Sequence, residues 1–187
     1  MTLYIKNMFC IRCKMVVRSE FEKLGLNTTL IGLGEVKIKD EISSEKREIL
    51  KSSLQRSGFE LIDEQKGSLI EKIKHLIVEL VHYSDDQMRK DLPEYLSKKL
   101  NHDYSYLANL FFEVKNTTIE HYFVTHKIER AKELLVYYKL SLTEIAFQLN
   151  YNSLASLSNQ FKEVTGFYPS HFQEIKKIRN STLRMCE

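Results

Sequence analysis

Ser141–Pro169 reads SLTEIAFQLNYNSLASLSNQFKEVTGFYP, and the parsing of this stretch decides the fold of the C-terminal half. Leu142, Ile145, Ala146 and Leu149 fall at i, i+3, i+4 and i+7, which places them on one face of a helix. Ser141 and Glu144 have the spacing of a capping box, in which the hydroxyl accepts from a free backbone N–H and the carboxylate reaches back to another. Asn150-Tyr151-Asn152 breaks the period, and asparagine tolerates a left-handed backbone, so a sharp turn is expected there. A second period, Leu154, Leu157, Phe161 and Val164, marks a second helix. Gly166 stands where a helix C-cap favours glycine, and Pro169 lies beyond it. The pattern is a helix-turn-helix. Two short helices with so small a seam are marginal alone, so the rest of the chain has to supply a core.

The motif occurs twice. In Leu92–Val114, Asp91 and Glu94 can cap a first helix, with Pro93 tolerated in its first turn. Asn101–Asp103 make the turn, and Leu107, Leu110, Phe111 and Val114 give the second helix its inward face. At an offset of 50 residues Leu107 matches Leu157, Asn109 matches Asn159, Phe111 matches Phe161 and Glu113 matches Glu163. Such internal repetition is structural information in itself. Between the copies, Ile119, Phe123, Ile128, Ala131, Leu134 and Leu135 predict one long helix, and His171–Ile178 a closing one. Ahead of both copies, Leu69, Ile73, Leu76, Ile77, Leu80 and Val81 form a broad apolar face, capped by Ser68. Gln65-Lys66-Gly67-Ser68 is polar and contains glycine, so the domain boundary is expected there, giving domains over 1–65 and 66–187.

The first 65 residues alternate differently. Thr2–Lys6 reads as a strand. Cys13, Val17, Phe21 and Leu24 recur at helical spacing up to Gly25. Thr28–Leu33 and Glu35–Lys39 read as two strands of a hairpin. Ser44–Ser57 reads as a helix with Ile49, Leu50 and Leu54 inward, and Phe59–Ile62 as a last strand after Gly58. The order βαββαβ predicts a ferredoxin-like module with both helices on one face of an antiparallel sheet. The fold class is therefore α+β: this module, then an all-α domain with two helix-turn-helix units joined by a long helix.

Cys10-Ile11-Arg12-Cys13 carries the chemistry of this half. Cysteines three apart, leaving a strand and entering a helix, can converge on one ion, and the positive end of the helix favours thiolates. Two soft thiolates at low coordination suit Cu(I), whereas zinc asks for about two more ligands. Met8 is expected in the core beneath the loop. Packing residues in a degenerate domain are one competing reading of the two cysteines, and a redox pair is another, but the tryptophan and proline of a thioredoxin-type site are missing. Cys186 lies far away in the tail.

The formal charge of +3 over 187 residues is small, and neither side of residue 65 is strongly basic. Binding by phosphate neutralisation alone is therefore disfavoured, since that mode needs many cations. No run of about 18 apolar residues exists to span a membrane, and MTLYIKN lacks the design of a signal peptide. A cytoplasmic protein with reduced cysteines is expected. No nucleophile, acid–base pair or phosphate-cradling glycine loop suggests an enzyme.

Residues 70–180 resemble the DNA-binding domain of the AraC/XylS family of bacterial transcription regulators. The residues that carry the resemblance are Lys127-Ile128-x2-Ala131-Lys132-x-Leu134-Leu135, Leu142-x2-Ile145-Ala146-x2-Leu149-x-Tyr151, and Phe161-Lys162-x3-Gly166-x2-Pro169-x2-Phe172. Phe112 stands where the family usually has lysine, Asn116 near its usual glycine, and Asn150 replaces the glycine before Tyr151. The first 65 residues resemble the heavy-metal-associated domain of copper chaperones and metal-pumping ATPases. That resemblance rests on Asn7-Met8-Phe9-Cys10-Ile11-Arg12-Cys13 and Gly58-Phe59, with Asn7 in place of glycine and Phe9 in place of threonine.

Helix geometry then nominates the DNA contacts. If Leu157, Phe161 and Val164 face inward, the step of about 100° points Asn152, Ser156 and Asn159 outward, with Ala155 and Gln160 flanking. Asn and Gln can bond adenine bidentately, and Ala can touch a thymine methyl. The same wheel in the first copy exposes Ser105, Ala108, Asn109 and Phe112. Lys127, Lys132 and Lys162 are candidates for phosphate contacts, which position without reading sequence. We expect a sequence-specific transcription regulator responsive to a soft metal, with Cu(I) on Cys10 and Cys13. Its expected partners are double-stranded DNA, the metal ion, RNA polymerase and a second copy of the chain, with no membrane. Two alternatives stand beside it: a regulator whose N-terminal module is a metal-blind interaction domain, and a metal-trafficking or thiol-exchange protein whose helices dock a partner.

Overall fold

The computed structural model describes residues 1–39, 41–83, 91–172 and 174. The chain divides into two compact units, each assembled from two separated segments. Met1–Lys74 joins Pro93–Ile119 in the first, and His75–Leu92 joins Glu120–Glu187 in the second.

In the first unit β1 (Thr2–Lys6), α1 (Ile11–Lys23), β2 (Thr28–Ile31), β3 (Glu35–Ile38), α2 (Ser44–Arg56) and β4 (Glu60–Leu61) follow in that order. The sheet order is β2-β3-β1-β4, and every neighbouring pair is antiparallel. Successive side chains of β1 point to opposite faces. Leu3 and Ile5 enter an apolar core with Val17 and Phe21 of α1 and Leu50 and Leu54 of α2. Ile49 does not join them: it is 46% exposed. One step of about 100° separates it from Leu50, and the core holds only the Leu50–Leu54 stripe.

Tyr4 serves the other face. Its hydroxyl donates to Glu71 Oε1 at 2.6 Å and accepts from Lys74 Nζ at 3.1 Å. Both partners lie on α3 (Glu64–Tyr83). This helix corrects the expected break at Gln65–Ser68, because those residues are already helical. Asp63 caps it instead of Ser68, accepting from the Lys66 N–H at 2.8 Å. That bond also holds the Asp63 carboxyl below its ordinary range. Gly67 lies inside the helix rather than in a linker, with space for a Cβ limited by the Tyr4 ring at 3.4 Å.

The first unit is completed by α4 (Leu92–Leu100) and α5 (Tyr104–Lys115). Leu107, Leu110, Phe111 and Val114 of α5 are buried, at the spacing expected for its inward face. Gly34, between β2 and β3, has φ +74°, and a Cβ built there would lie 1.9 Å from the carbonyl oxygen of Val114. Backbone meets backbone at that point, which only glycine allows.

The second unit contains α6 (Ile119–Val136) from Glu120 onward, α7 (Leu142–Gln148) and α8 (Leu154–Thr165). Its buried residues include Ile77 and Leu80 of α3, Ile128 and Leu135 of α6, Ile145 of α7, and Leu157 and Phe161 of α8. Phe172 sets its ring edge-on to Phe161 at 5.5 Å. Most of the expected closing helix, from residue 175 to 178 together with 173, lies outside the described residues, as does Cys186. No helix among the described residues is long and apolar enough to cross a membrane.

Candidate nucleic-acid interface and thiol pair

The second helix-turn-helix is built by local bonds that the sequence announces. Ser141 Oγ accepts from the Glu144 N–H at 3.3 Å, and Glu144 Oε2 accepts from the Ser141 N–H at 2.7 Å, so the capping box is complete. The Ser141 hydroxyl, which donates to Glu144 Oε2 at 2.7 Å, and then the Ser141 N–H hold the Glu144 carboxyl below its usual range. Asn150 takes φ +51°, and the Tyr151 N–H donates to Ala146 O at 2.8 Å, which closes the turn. Ser153 then caps α8 through the Ser156 N–H at 3.1 Å. Gly166 ends the helix at φ +81°. Because Ser153 is the cap, Leu154 falls in the first turn and is 44% exposed, not inward as its period predicts.

On α8 and the turn before it, Asn152, Ala155 and Asn159 are exposed, with Ser156 and Gln160 half-buried beside them. Ala155 and Asn159 are four apart on α8 and share one face, and Asn152 precedes its cap. On α5, Ser105, Asn109 and Phe112 are exposed and Ala108 is half-buried, giving a second such face. Asp103 caps α5 by accepting from the Ser105 N–H at 2.8 Å. It occupies the place of Ser153 at the same offset of 50 residues.

The three lysines separate. Lys162 is exposed, and its ammonium stands 4.4 Å from the Tyr168 ring centroid and 3.3 Å from the Tyr168 hydroxyl. Lys132 is half-buried and pairs with Glu129 at 2.5 Å. Lys127 is not a surface cation: it is 8% exposed. Its ammonium sits 3.9 Å over the Tyr151 ring and 5.5 Å over Phe123. Burial pushes its pKa down to about 8. A phosphate contact from Lys127 is therefore corrected. The spacing held the signal, since Phe123, Lys127 and Ala131 are four apart on the inward stripe of α6.

In the first unit Cys10 occupies the N-cap position of α1 with an extended backbone. Its sulfur lies 3.3 Å from that of Cys13, and Cys10 is exposed while Cys13 is half-buried. The Cys10 thiol is shifted below its ordinary range, first by the backbone N–H of Cys13, then by the Cys13 thiol, and least by the Arg12 charge. Met8 is wholly buried, in the core beneath the loop. No group of three or more His, Cys, Asp or Glu side chains able to hold a metal occurs among the described residues. The donor set is thus two thiols, which fits a soft ion at low coordination and falls short of a four-ligand zinc centre.

A family model described as a helix-turn-helix domain matches residues 96–175. The match runs from α4 through α8 and leaves the sheet and the thiol pair outside it. The Msm operon regulatory protein of Streptococcus mutans is 34% identical over 86 residues, covering 46% of this chain and 30% of that protein. An HTH-type transcriptional regulator of Staphylococcus aureus is 30% identical over 93 residues, covering 50% of this chain and 12% of that protein. The chain thus spans less than a third of either relative's length. Two solved structures share the fold of this region. The C-terminal domain of AraT, a response regulator from Geobacillus stearothermophilus, has a TM-score of 0.51 at 23% identity, covering 57% of this chain and 84% of that one. The DNA-binding domain of AdpA, a global transcriptional factor solved with a target DNA, has a TM-score of 0.51 at 17% identity, covering 59% and 94%.

Proposed function

We propose that the chain is a sequence-specific, DNA-binding transcription regulator that responds to a soft metal ion. The observation that carries the DNA reading is the exposed pair Ala155 and Asn159 on a capped helix, with exposed Asn152 just before the cap, in a region that matches a helix-turn-helix domain. The names of the relatives, an operon regulatory protein and a transcriptional regulator, support it. Ser156 and Gln160 flank the reading face, and exposed Lys162 is the candidate for a phosphate contact. The first copy, with Ser105, Ala108 and Asn109, is the weaker reader because Phe112 replaces the lysine of the second copy, Lys162. Double-stranded DNA as partner implies a cytoplasmic setting.

Asn159→Ala is expected to weaken binding to the chain's own upstream DNA by roughly 10- to 100-fold, the range of one lost bidentate base contact. Asn109→Ala is expected to cost less. Fluorescence anisotropy titrations at one fixed salt concentration check the order, and an equal loss for both variants would show the two copies ranked wrongly. No sequence-selective binding by the unmodified chain at any salt or metal loading would favour a trafficking protein.

For the N-terminal module, the βαββαβ order and the strand order β2-β3-β1-β4 support a ferredoxin-like fold. The paired sulfurs of Cys10 and Cys13, one of them shifted toward thiolate, support Cu(I) as the ion. In a Cu(I) titration against a competing chelator, the unmodified chain is expected to take up one equivalent and Cys10→Ser to lose it. Undiminished stoichiometric uptake by Cys10→Ser would remove the two-thiolate site.

A further inference from the structure

We propose that the loop carrying Cys10 and Cys13 acts on the first helix-turn-helix directly, through a clamp in which the N-terminal sheet holds the last turn of α5. This rests on the metal-responsive reading above and supplies its route. Four contacts within one compact unit converge on that turn. Lys6, at the end of β1, pairs with Glu113 at 2.6 Å. Glu35, at the start of β3, pairs with Lys115 at 2.8 Å and with Lys74 of α3 at 3.2 Å. Gly34 brings its backbone against the Val114 carbonyl. Asn116, the residue that ends α5, donates from Nδ2 to the carbonyl oxygen of Met8 at 3.2 Å.

The last contact leads to the thiols. Met8 lies two residues before Cys10, and its side chain is wholly buried, so its carbonyl is presented from a fixed point. Asn7 before it has φ +69° and donates from Nδ2 to Gly58 O at 3.1 Å. The loop is therefore pinned on its strand side, and on the other side it runs into the first turn of α1, where the Lys14 N–H donates to Cys10 O at 3.3 Å. An ion that fixes both sulfurs constrains the segment from Cys10 back to Met8, and with it the acceptor that Asn116 uses.

Comparison of the two copies gives the clamp a second, independent support. Asn116 matches Gly166 at the offset of 50, and both residues are left-handed, at φ +53° and +81°. Glycine adopts that conformation without strain, whereas asparagine merely tolerates it. A residue less suited to the backbone stands in the copy where a side-chain amide has an acceptor to reach. Glycine could not make the bond to Met8. The clamp also leaves the reading face open. Ser105 and Asn109 are exposed, and Asn109 lies about 10 Å along the helix from Asn116 at 1.5 Å per residue. One end of α5 can sit in a groove while the sheet holds the other.

The test uses the full chain and Asn116→Gly, which keeps the left-handed cap, as Gly166 does, and removes only the amide. Cu(I) uptake is measured against a chelator, and affinity for the upstream DNA is measured with and without Cu(I). The expected result is equal Cu(I) uptake by both proteins, a change in DNA affinity of at least about fivefold for the unmodified chain, and a change below about twofold for Asn116→Gly. Retention of the full metal-dependent change by Asn116→Gly at equal loading overturns the clamp while leaving the metal site standing. Uptake with no change in the unmodified chain's DNA affinity overturns it as well. Absent uptake, or uptake that survives Cys10→Ser, removes the metal site and the clamp's regulatory role with it.

Discussion

Gly34→Ala is expected to destabilise the chain by about 3 kcal/mol, the combined cost of a left-handed non-glycine residue and an overpacked contact. The added Cβ would meet the Val114 carbonyl oxygen at 1.9 Å and its carbon at 3.0 Å, and both atoms belong to helical backbone that cannot rotate aside. Gly58→Ala is the control. Gly58 has φ +81°, yet a Cβ there meets nothing within 4 Å, so only the conformational cost of about 1 kcal/mol remains. Urea unfolding of the two variants, compared through their midpoints at a shared slope, separates the terms. Equal midpoints would mean that the β2–β3 turn does not press on α5 in solution.

The second large effect concerns Lys127. Its buried ammonium faces the rings of Tyr151 and Phe123, with no carboxylate partner among the described residues. The folded-state pKa is pushed down to about 8, against the ordinary 10.5. Between those values the unfolded chain binds more protons than the folded one, so stability rises with pH through that window and is flat below it. The rise is bounded by about 3 kcal/mol, since each pKa unit corresponds to about 1.4 kcal/mol. The ring face favours the charged form by up to about 2 kcal/mol, which narrows the rise. Lys127→Met keeps the length and removes the charge, at the cost of the ring contact. It is expected to raise stability near neutral pH by about 1 kcal/mol and to abolish this rise. Thermal unfolding of both proteins from about pH 7 to about pH 10 checks it, with other titrations cancelling in the comparison. Parallel profiles would show that Lys127 keeps its ordinary pKa in the folded chain.

What the sequence makes legible is what neighbouring residues decide. The capping box of Ser141 and Glu144, the turn at Asn150 and the glycine cap at 166 involve partners within a few positions, and each is where its residue type places it. The α4–α5 copy is legible because it repeats the same local signals. Misreadings arise where one residue type has two uses. Gly67 looks like a break, but Asp63 starts α3 ahead of it, and a helix tolerates one glycine at a cost of about 1 kcal/mol. Lys127 looks like a phosphate ligand because lysine is usually exposed, although its four-residue spacing from Phe123 and Ala131 marks the inward stripe. Leu154 belongs to the apolar period but precedes the first complete turn. The contacts of the sheet with α5 had no local signal at all. Glu35 and Lys115 are 80 residues apart and Asn116 and Met8 are 108 apart, so neither periodicity nor capping rules reach them.

The interleaving of the two segments in the first unit sets an order of assembly during synthesis. The sheet leaves the ribosome first, as chains are made from the N-terminus at roughly 5–20 residues per second. Glu35 then waits for Lys115, and the Gly34 turn for Val114, until some 80 further residues have emerged. In the complete unit burial raises the Glu35 pKa, and Lys115 and Lys74 bring it back below the ordinary range. A gene fragment cut at residue 66 would remove both of these lysines from Glu35. It would strand the sheet without α5 and begin the helical half without Asp63, the cap of its first helix.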